Sequence, residues 1–143
     1  MKNLILIAAL IAGAYLWFSE ANHADVSSAA SETRSLSGPS SFDRGDSNRQ
    51  VQGEGVVVKV LPDDNKGSRH QKFILELSSG QTILVAHNID LAPRISSISP
   101  GDTVAFNGEY EWNEKGGVVH WTHHDPDGRH EGGWLEAAGR TYQ

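Results

Sequence analysis

Ile98-Ser99-Pro100-Gly101-Asp102-Thr103-Val104-Ala105-Phe106-Asn107-Gly108 is the stretch on which the fold turns. Pro100-Gly101-Asp102 reverses the chain, because proline presets one backbone angle and glycine accepts angles closed to other residues. From Thr103 to Tyr110 the residues alternate, so Val104, Phe106 and Gly108 share one face of an extended strand. A late glycine in such a strand permits the sharp bend that a closed or strongly curved sheet needs.

The flanking segments agree. Upstream, Val56-Val57-Val58-Lys59-Val60 is β-branched and predicts a first strand, with Lys59 outward and Val56, Val58 and Val60 facing the core. Pro62 to Gly67 is a loop by composition. Lys72 to Leu77 alternates, with Phe73, Leu75 and Leu77 on one face, and Ser78-Ser79-Gly80 turns it into a third strand from Gln81 to Ala86. His87 to Ser99 breaks the pattern and allows at most a short helical turn. Downstream, Glu111 to Gly116 is a loop. Val118 to Thr122 is a fifth strand with faces Val119-Trp121 and Val118-His120-Thr122. Gly132-Gly133 and Gly139 make the last residues loop-like, with Trp134 and Tyr142 packing that tail back onto the sheet. Five short strands with a longer link between the third and fourth resemble an OB-fold barrel. The expected class is all-β: a small five-stranded OB-fold-like barrel over residues 51–143.

The residues before it are of another kind. Lys2 precedes 15 uninterrupted apolar residues from Leu4 to Phe18. A positive start, a short apolar run and then small polar residues form the pattern of a secretory signal. Ser19-Glu20-Ala21 and Asn22-His23-Ala24 offer cleavage points, although Tyr15, Trp17 and Phe18 are bulky for the end of a cleaved signal. As a helix the run spans about 22 Å, short of the ~30 Å hydrocarbon core. Residues 1–21 are expected to be a signal peptide or, if uncleaved, an N-terminal membrane anchor. The protein is then periplasmic or secreted, or held at the inner membrane facing the periplasm, with membrane contact only through residues 4–18. Residues 22–50 are rich in Ser, Ala, Asp, Asn and Gly, with Val26, Leu36 and Phe42 as the sizeable apolar residues. They are expected to be a disordered linker, since so little apolar surface cannot offset the entropy of ordering.

Composition narrows the chemistry. The 143 residues include no cysteine, which excludes disulfides, Cys-ligated zinc, thioether haem, iron–sulfur clusters and a lipidated N-terminal cysteine. A net charge of −6 argues against nucleic acid as a partner, because phosphate binding draws on surplus Lys and Arg.

Six of the seven histidines lie beyond residue 50, and His120-Trp121-Thr122-His123-His124-Asp125-Pro126-Asp127-Gly128-Arg129-His130 is the most unusual run. Asp125-Pro126-Asp127-Gly128 has type I turn preferences. If it joins two extended arms, His123 sits opposite His130 at a Cβ separation of about 4.5–5.5 Å, within reach of a shared metal ion. His123 and His130, with Asp125, His70 or His87 as a third ligand, are the candidate metal set, and the cofactor would be a divalent metal such as zinc. His120 lies about 13 Å from His124 along an extended arm and joins no such site unless the chain bends. Hydrogen-bonding histidines and acid–base catalysis are the alternatives. A second candidate site gathers Arg69, His70, His87 and Trp112 at the usual binding face of such barrels. Arg69 would grip an anion there, and Trp112 would stack on a sugar or base, or else cover the barrel end. Arg94 is expected to pair with Asp90.

Four strings are familiar together: Arg69-His70-Gln71-Lys72-Phe73, Val85-Ala86-His87-Asn88-Ile89-Asp90-Leu91-Ala92-Pro93-Arg94, Gly108-Glu109-Tyr110-Glu111-Trp112-Asn113 and His120-Trp121-Thr122-His123-His124-Asp125-Pro126. They resemble a bacterial family of unknown function, family 3465, over roughly Gly53 to Gln143. The resemblance implies a bacterial exported protein and carries over no catalytic residue. Staphylococcal-type nucleases also use an OB barrel, but their calcium-binding aspartates and paired arginines have no counterpart here. The leading expectation is a non-enzymatic binding module for a small anion, a glycan or an envelope protein. The alternatives are a metal-dependent, nuclease-like hydrolase and a periplasmic metal-binding protein using the His-rich hairpin.

Overall fold

The computed structural model describes residue 39 and residues 41–143. The expected signal or anchor over residues 1–21, and most of the expected linker over 22–50, lie outside the described residues. Among the described residues no helix is long and apolar enough to cross a membrane.

The fold is all-β. Its strands are β1 (Arg49–Asp64), β2 (His70–Glu76), β3 (Thr82–Asn88), β4 (Thr103–Glu111), β5 (Val118–His120), β6 (Trp134–Ala137) and β7 (Arg140–Tyr142). The long β1 serves two partners. Its first half pairs antiparallel with β4, from Arg49 opposite Tyr110 to Val56 opposite Thr103. Its second half pairs antiparallel with β2, from Val56 opposite Glu76 to Asp64 opposite His70. β2 pairs with β3, β3 with β5 in parallel, and β5 with β4. The result is a ring of five strands in the order β1-β2-β3-β5-β4, closed by β1 and β4. Phe73, Leu75, Ile83, Val85, Val104, Phe106, Tyr110 and Val119 fill it and are almost wholly buried.

Facing in β1 is the reverse of the expectation. Val57 is buried, while Val56, Val58 and Val60 are 43, 43 and 37% exposed. The inward positions before Val57 are Gly53 and Gly55. A Cβ on Gly53 would lie 2.7 Å from the Phe106 ring, and one on Gly55 2.8 Å from the Glu76 carbonyl oxygen. The core thus passes so close to β1 that only glycine fits, and hydrophobic alternation read from the valines picks the wrong face. A bulge between Val57 and Lys59 then puts Val58 and Lys59 together opposite Ile74.

The folded part starts earlier than expected and ends in a different kind of structure. Phe42 is buried, with its ring centroid 5.3 Å from that of Tyr110 and 6.1 Å from that of Phe106. The Gln81 side chain pairs with its backbone as a neighbouring strand would: the Phe42 N–H donates to Oε1 at 2.8 Å, and Nε2 donates to the Phe42 carbonyl at 3.0 Å. A 3-10 turn over Arg44–Asp46, held by reciprocal bonds between Asp43 and Asp46, leads into β1. The fold therefore begins at least nine residues before the expected boundary at 51, because one aromatic side chain and one amide anchor an otherwise polar segment.

At the other end, the expected loop-like tail is a hairpin. Ala138 and Gly139 both have positive φ, 49° and 73°, and join β6 to β7 in the two-residue manner of a type I′ turn. β6 pairs with β4 from Val104 opposite Ala137 to Asn107 opposite Trp134. Since β1 lies along the other side of β4, β5 and β6 occupy successive stretches of the same side. Residues 121–133 are an excursion between them. Leu135, Ala137 and Tyr142 add to the core.

Candidate functional site

Trp121 ends β5. Its φ of 53° is a left-handed conformation that bulky residues rarely adopt. The twist exchanges faces, so Thr122 turns inward and is wholly buried, whereas alternation placed it beside His120. Inside the ring Thr122 meets His87. The His87 Nε2–H donates to the Pro93 carbonyl at 3.0 Å, which leaves Nδ1 to accept from the Thr122 hydroxyl at 2.8 Å. Burial pushes the His87 pKa down to about 4, so the ring is neutral in the folded protein. His87, expected at a ligand site, is a core residue that ties β3 to the β3–β4 link and to the chain after β5.

The other residues of that expected site are likewise engaged. Arg69 pairs with Asp90 through Nε at 2.7 Å and donates its backbone N–H to the same carboxylate at 2.8 Å. Arg94, expected on Asp90, bonds to Asp63 near the end of β1, a strand that runs on through Pro62 to Asp64 where composition suggests a loop. His70 donates Nδ1–H to the Ser68 carbonyl at 2.8 Å. Trp112 packs against the core with the Arg44 guanidinium 4.0 Å above its ring, so a flat ligand meets that face already covered. Gln71, overlooked in the sequence, is buried and clasps Ile95 at both backbone groups, at 2.9 Å each, which fixes the β3–β4 link.

The His-rich excursion is held by Asp125. Its Oδ1 accepts the Asp127 N–H at 3.0 Å, and its Oδ2 accepts those of Arg129 and His130 at 2.7 Å each. The Asp127 bond, and then those of His130 and Arg129, hold the carboxyl below its usual range against the opposing effect of burial. The expected turn exists, since the Gly128 N–H bonds to the Asp125 carbonyl at 3.1 Å. The Gly133 N–H closes the base of the excursion on the His123 carbonyl at 2.9 Å. His123 is buried and donates Nδ1–H to the His124 carbonyl at 2.8 Å. His130 stacks on Trp121, with centroids 4.2 Å apart and planes 7° from parallel. His130 donates from both nitrogens, Nδ1 to the Glu131 carbonyl at 2.8 Å and Nε2 to Glu109 at 2.5 Å. Partial burial lowers its pKa, but the bonds to Glu109 and to the Glu131 carbonyl outweigh that and leave it raised. Asp125 and His130 are thus occupied by loop and strand contacts, and the arms do not bring His123, His130 and Asp125 together as three free donors.

What converges instead is Glu109, Glu111 and His120, whose nearest ligand atoms lie within 4.8 Å of one another. Glu109 and Glu111 are two apart on β4 and share its outer face. His120 is directly opposite Glu109 on β5. The signal was present as Glu-Tyr-Glu beside a histidine on the outward face of the fifth strand. It became readable only with the β4–β5 register.

A separate feature lies on the outside of the ring. Ile74, Leu84 and Val118 are side by side on β2, β3 and β5, and with Leu61 they line a groove of about 250 Å³ that has Lys115 and Asn113 at its rim.

Fold and side chains together define the class: an all-β protein whose five-stranded ring carries a histidine-rich excursion clasped by an aspartate. The chain belongs to the family described as "Protein of unknown function (DUF3465)", whose profile matches residues 21–143. No curated protein and no solved structure matches it.

Proposed function

We propose that this chain is an exported, non-enzymatic binding module on an OB-type barrel, and that its ligand lies along the apolar outer face of the ring. The strand order β1-β2-β3-β5-β4, the parallel pairing of β3 with β5 and the long β3–β4 link support the barrel reading. The observation that carries the binding reading is the row Ile74, Leu84, Val118, continued by Leu61 and the exposed Val58. An antiparallel face turned to water normally alternates to polar residues, and a contiguous apolar strip there marks a contact surface. A shallow apolar groove running across three strands suits an extended segment of an envelope protein, and Lys59 and Lys115 beside it favour acidic flanks on that segment. A small anion or a glycan fits less well, because Arg69 and Trp112 already hold Asp90 and Arg44.

The test is fluorescence anisotropy with short labelled peptides of alternating apolar residues and acidic ends. Leu84→Asp should weaken binding by about 10-fold or more, while Arg69→Ala stays within about 2-fold of the parent. Equal binding by Leu84→Asp and the parent would remove the assignment. Turnover of ester, phosphodiester or glycan substrates by the same protein would overturn the non-enzymatic reading.

A further inference from the structure

We infer that Glu109, Glu111 and His120 form a site for one first-row divalent cation, zinc above all, at the foot of the 121–133 excursion, with His130 holding Glu109 in position. This site is separate from the outer apolar face and stands whether or not that face binds a partner.

Spacing is the first argument. His120 Nε2 lies 3.8 Å from Glu109 Oε1 and 3.5 Å from Glu111 Oε1. Charge-assisted hydrogen bonds between such groups are closer, about 2.7–2.9 Å. Ligands that share a tetrahedral zinc ion at bond lengths of about 2.0–2.2 Å are roughly 3.4 Å apart. The imidazole therefore stands beyond hydrogen-bond length from both carboxylates and near the separation of ligands that share one ion, and all three ligand atoms lie within 4.8 Å of one another.

The second argument is the state of the imidazole. His120 Nε2 is shielded from solvent and has no hydrogen-bond partner. A buried, unsatisfied polar atom destabilises the fold, and an ion bound at that atom would remove the penalty. On the far side of Glu109, Gln50 sits opposite it on β1, and its Oε1 is likewise buried without a partner.

The third is orientation. Glu109 presents one oxygen to each side, with Oε2 bound to His130 Nε2 at 2.5 Å and Oε1 turned toward His120. Metal-ligating carboxylates are commonly fixed by such an outer hydrogen bond. Trp121, stacked on the His130 ring, keeps that imidazole in place. The strained turn at Trp121 and the Asp125 clasp thus acquire a purpose, since both hold His130 over Glu109 (a strand ending without them would not). Two carboxylates and one imidazole suit zinc, manganese or ferrous iron and leave coordination positions open.

The experiment uses the full-length chain, purified in mild detergent without a histidine tag. Zinc is titrated calorimetrically at about pH 7.5, and cobalt is followed by its visible d–d bands. The parent should bind one equivalent. Glu111→Gln and His120→Ala should each weaken zinc by at least about 10-fold, and Glu111→Gln should shift the cobalt bands. His123→Ala and His124→Ala should stay within about 2-fold. Glu111 is 53% exposed, so its amide variant reports on binding even if His120→Ala folds poorly. The inference is overturned if the parent binds no stoichiometric zinc, if Glu111→Gln binds as the parent does, or if His123→Ala loses as much as Glu111→Gln.

Discussion

A histidine kept neutral inside a sheet ring is an expensive core residue unless both its nitrogens are used, and those of His87 are. Thr122 and Pro93 each lose a partner if the ring is replaced by an apolar side chain, at the point where β3, the β3–β4 link and the chain beyond β5 meet. His87→Leu should therefore destabilise the protein by about 2–4 kcal/mol, read as a lower urea midpoint at unchanged slope. A change under about 0.5 kcal/mol would mean that these bonds do not hold the link. Gly108 shows the same dependence on neighbours. The sequence suggests it as a bending point. In the structure its missing side chain lets β5 come close: an added Cβ would collide with the His120 carbonyl oxygen and lie 2.8 Å from Thr122 Cγ2. The residue type was legible, but the reason for it was not.

Among the elements, β2, β3 and β4 are legible as strands because each buries every second residue, although Ile74 and Leu84 are apolar on the outer face and Ala105 is buried between Val104 and Phe106. β1 misleads because its inner face is glycine where Phe106 and Glu76 press against it. The β6–β7 hairpin hides behind an Ala-Gly turn, a weaker signal than Asn-Gly, in a stretch whose other glycines read as loop. The N-terminal staple hides for a different reason. A lone Phe42 in a polar segment looks solvent-bound until Gln81 is seen to offer it both halves of a backbone hydrogen-bond pair. Gln81 also donates to the Gly116 carbonyl at 2.8 Å, so it links the segment to the β4–β5 turn. Gln81→Leu should cost about 1–3 kcal/mol and open the chain at Arg44 and Arg49 to trypsin well before the ring unfolds, as followed by mass spectrometry of timed digests. Cleavage at those sites no faster than in the parent would show that Phe42 packing alone holds the segment.

For the molecule as a whole, His87 sets a pH dependence. Its pKa is about 4 when folded and near the ordinary 6.5 when unfolded. The unfolded chain therefore takes up the extra proton between those values. Stability should fall as pH drops from 6.5 to 4, by on the order of 3 kcal/mol in all, and His87→Leu should flatten that slope. Asp90 and Asp125 act lower down. Their pKa values are held below 3.8 by hydrogen bonds, chiefly from Arg69 and from Asp127, so their contributions persist above 3.8 and are lost only as pH falls through the lowered values. Urea midpoints at half-unit pH steps, with chelator present, measure the profile. An equal slope in parent and variant between pH 4 and 6.5 would place the acid sensitivity elsewhere.

By itself the sequence determined the class of fold, the family and the turn at Asp125 to Gly128. These rest on short-range facts: alternation along a strand, the backbone freedom of glycine, the preferences of turn residues and the long strings that match. It also placed the histidine-rich run, but not which of its members meet. That was decided by tertiary structure, through the pairing of β5 with β4, the reversal at Trp121 and the return of β6 to the same side of β4. These set Glu109 between His120 and His130, residues 11 and 21 positions away. The physical reason is that ligand geometry is a matter of a few ångströms between distant segments, whereas periodicity in a sequence reports only on which side of its own strand a residue stands.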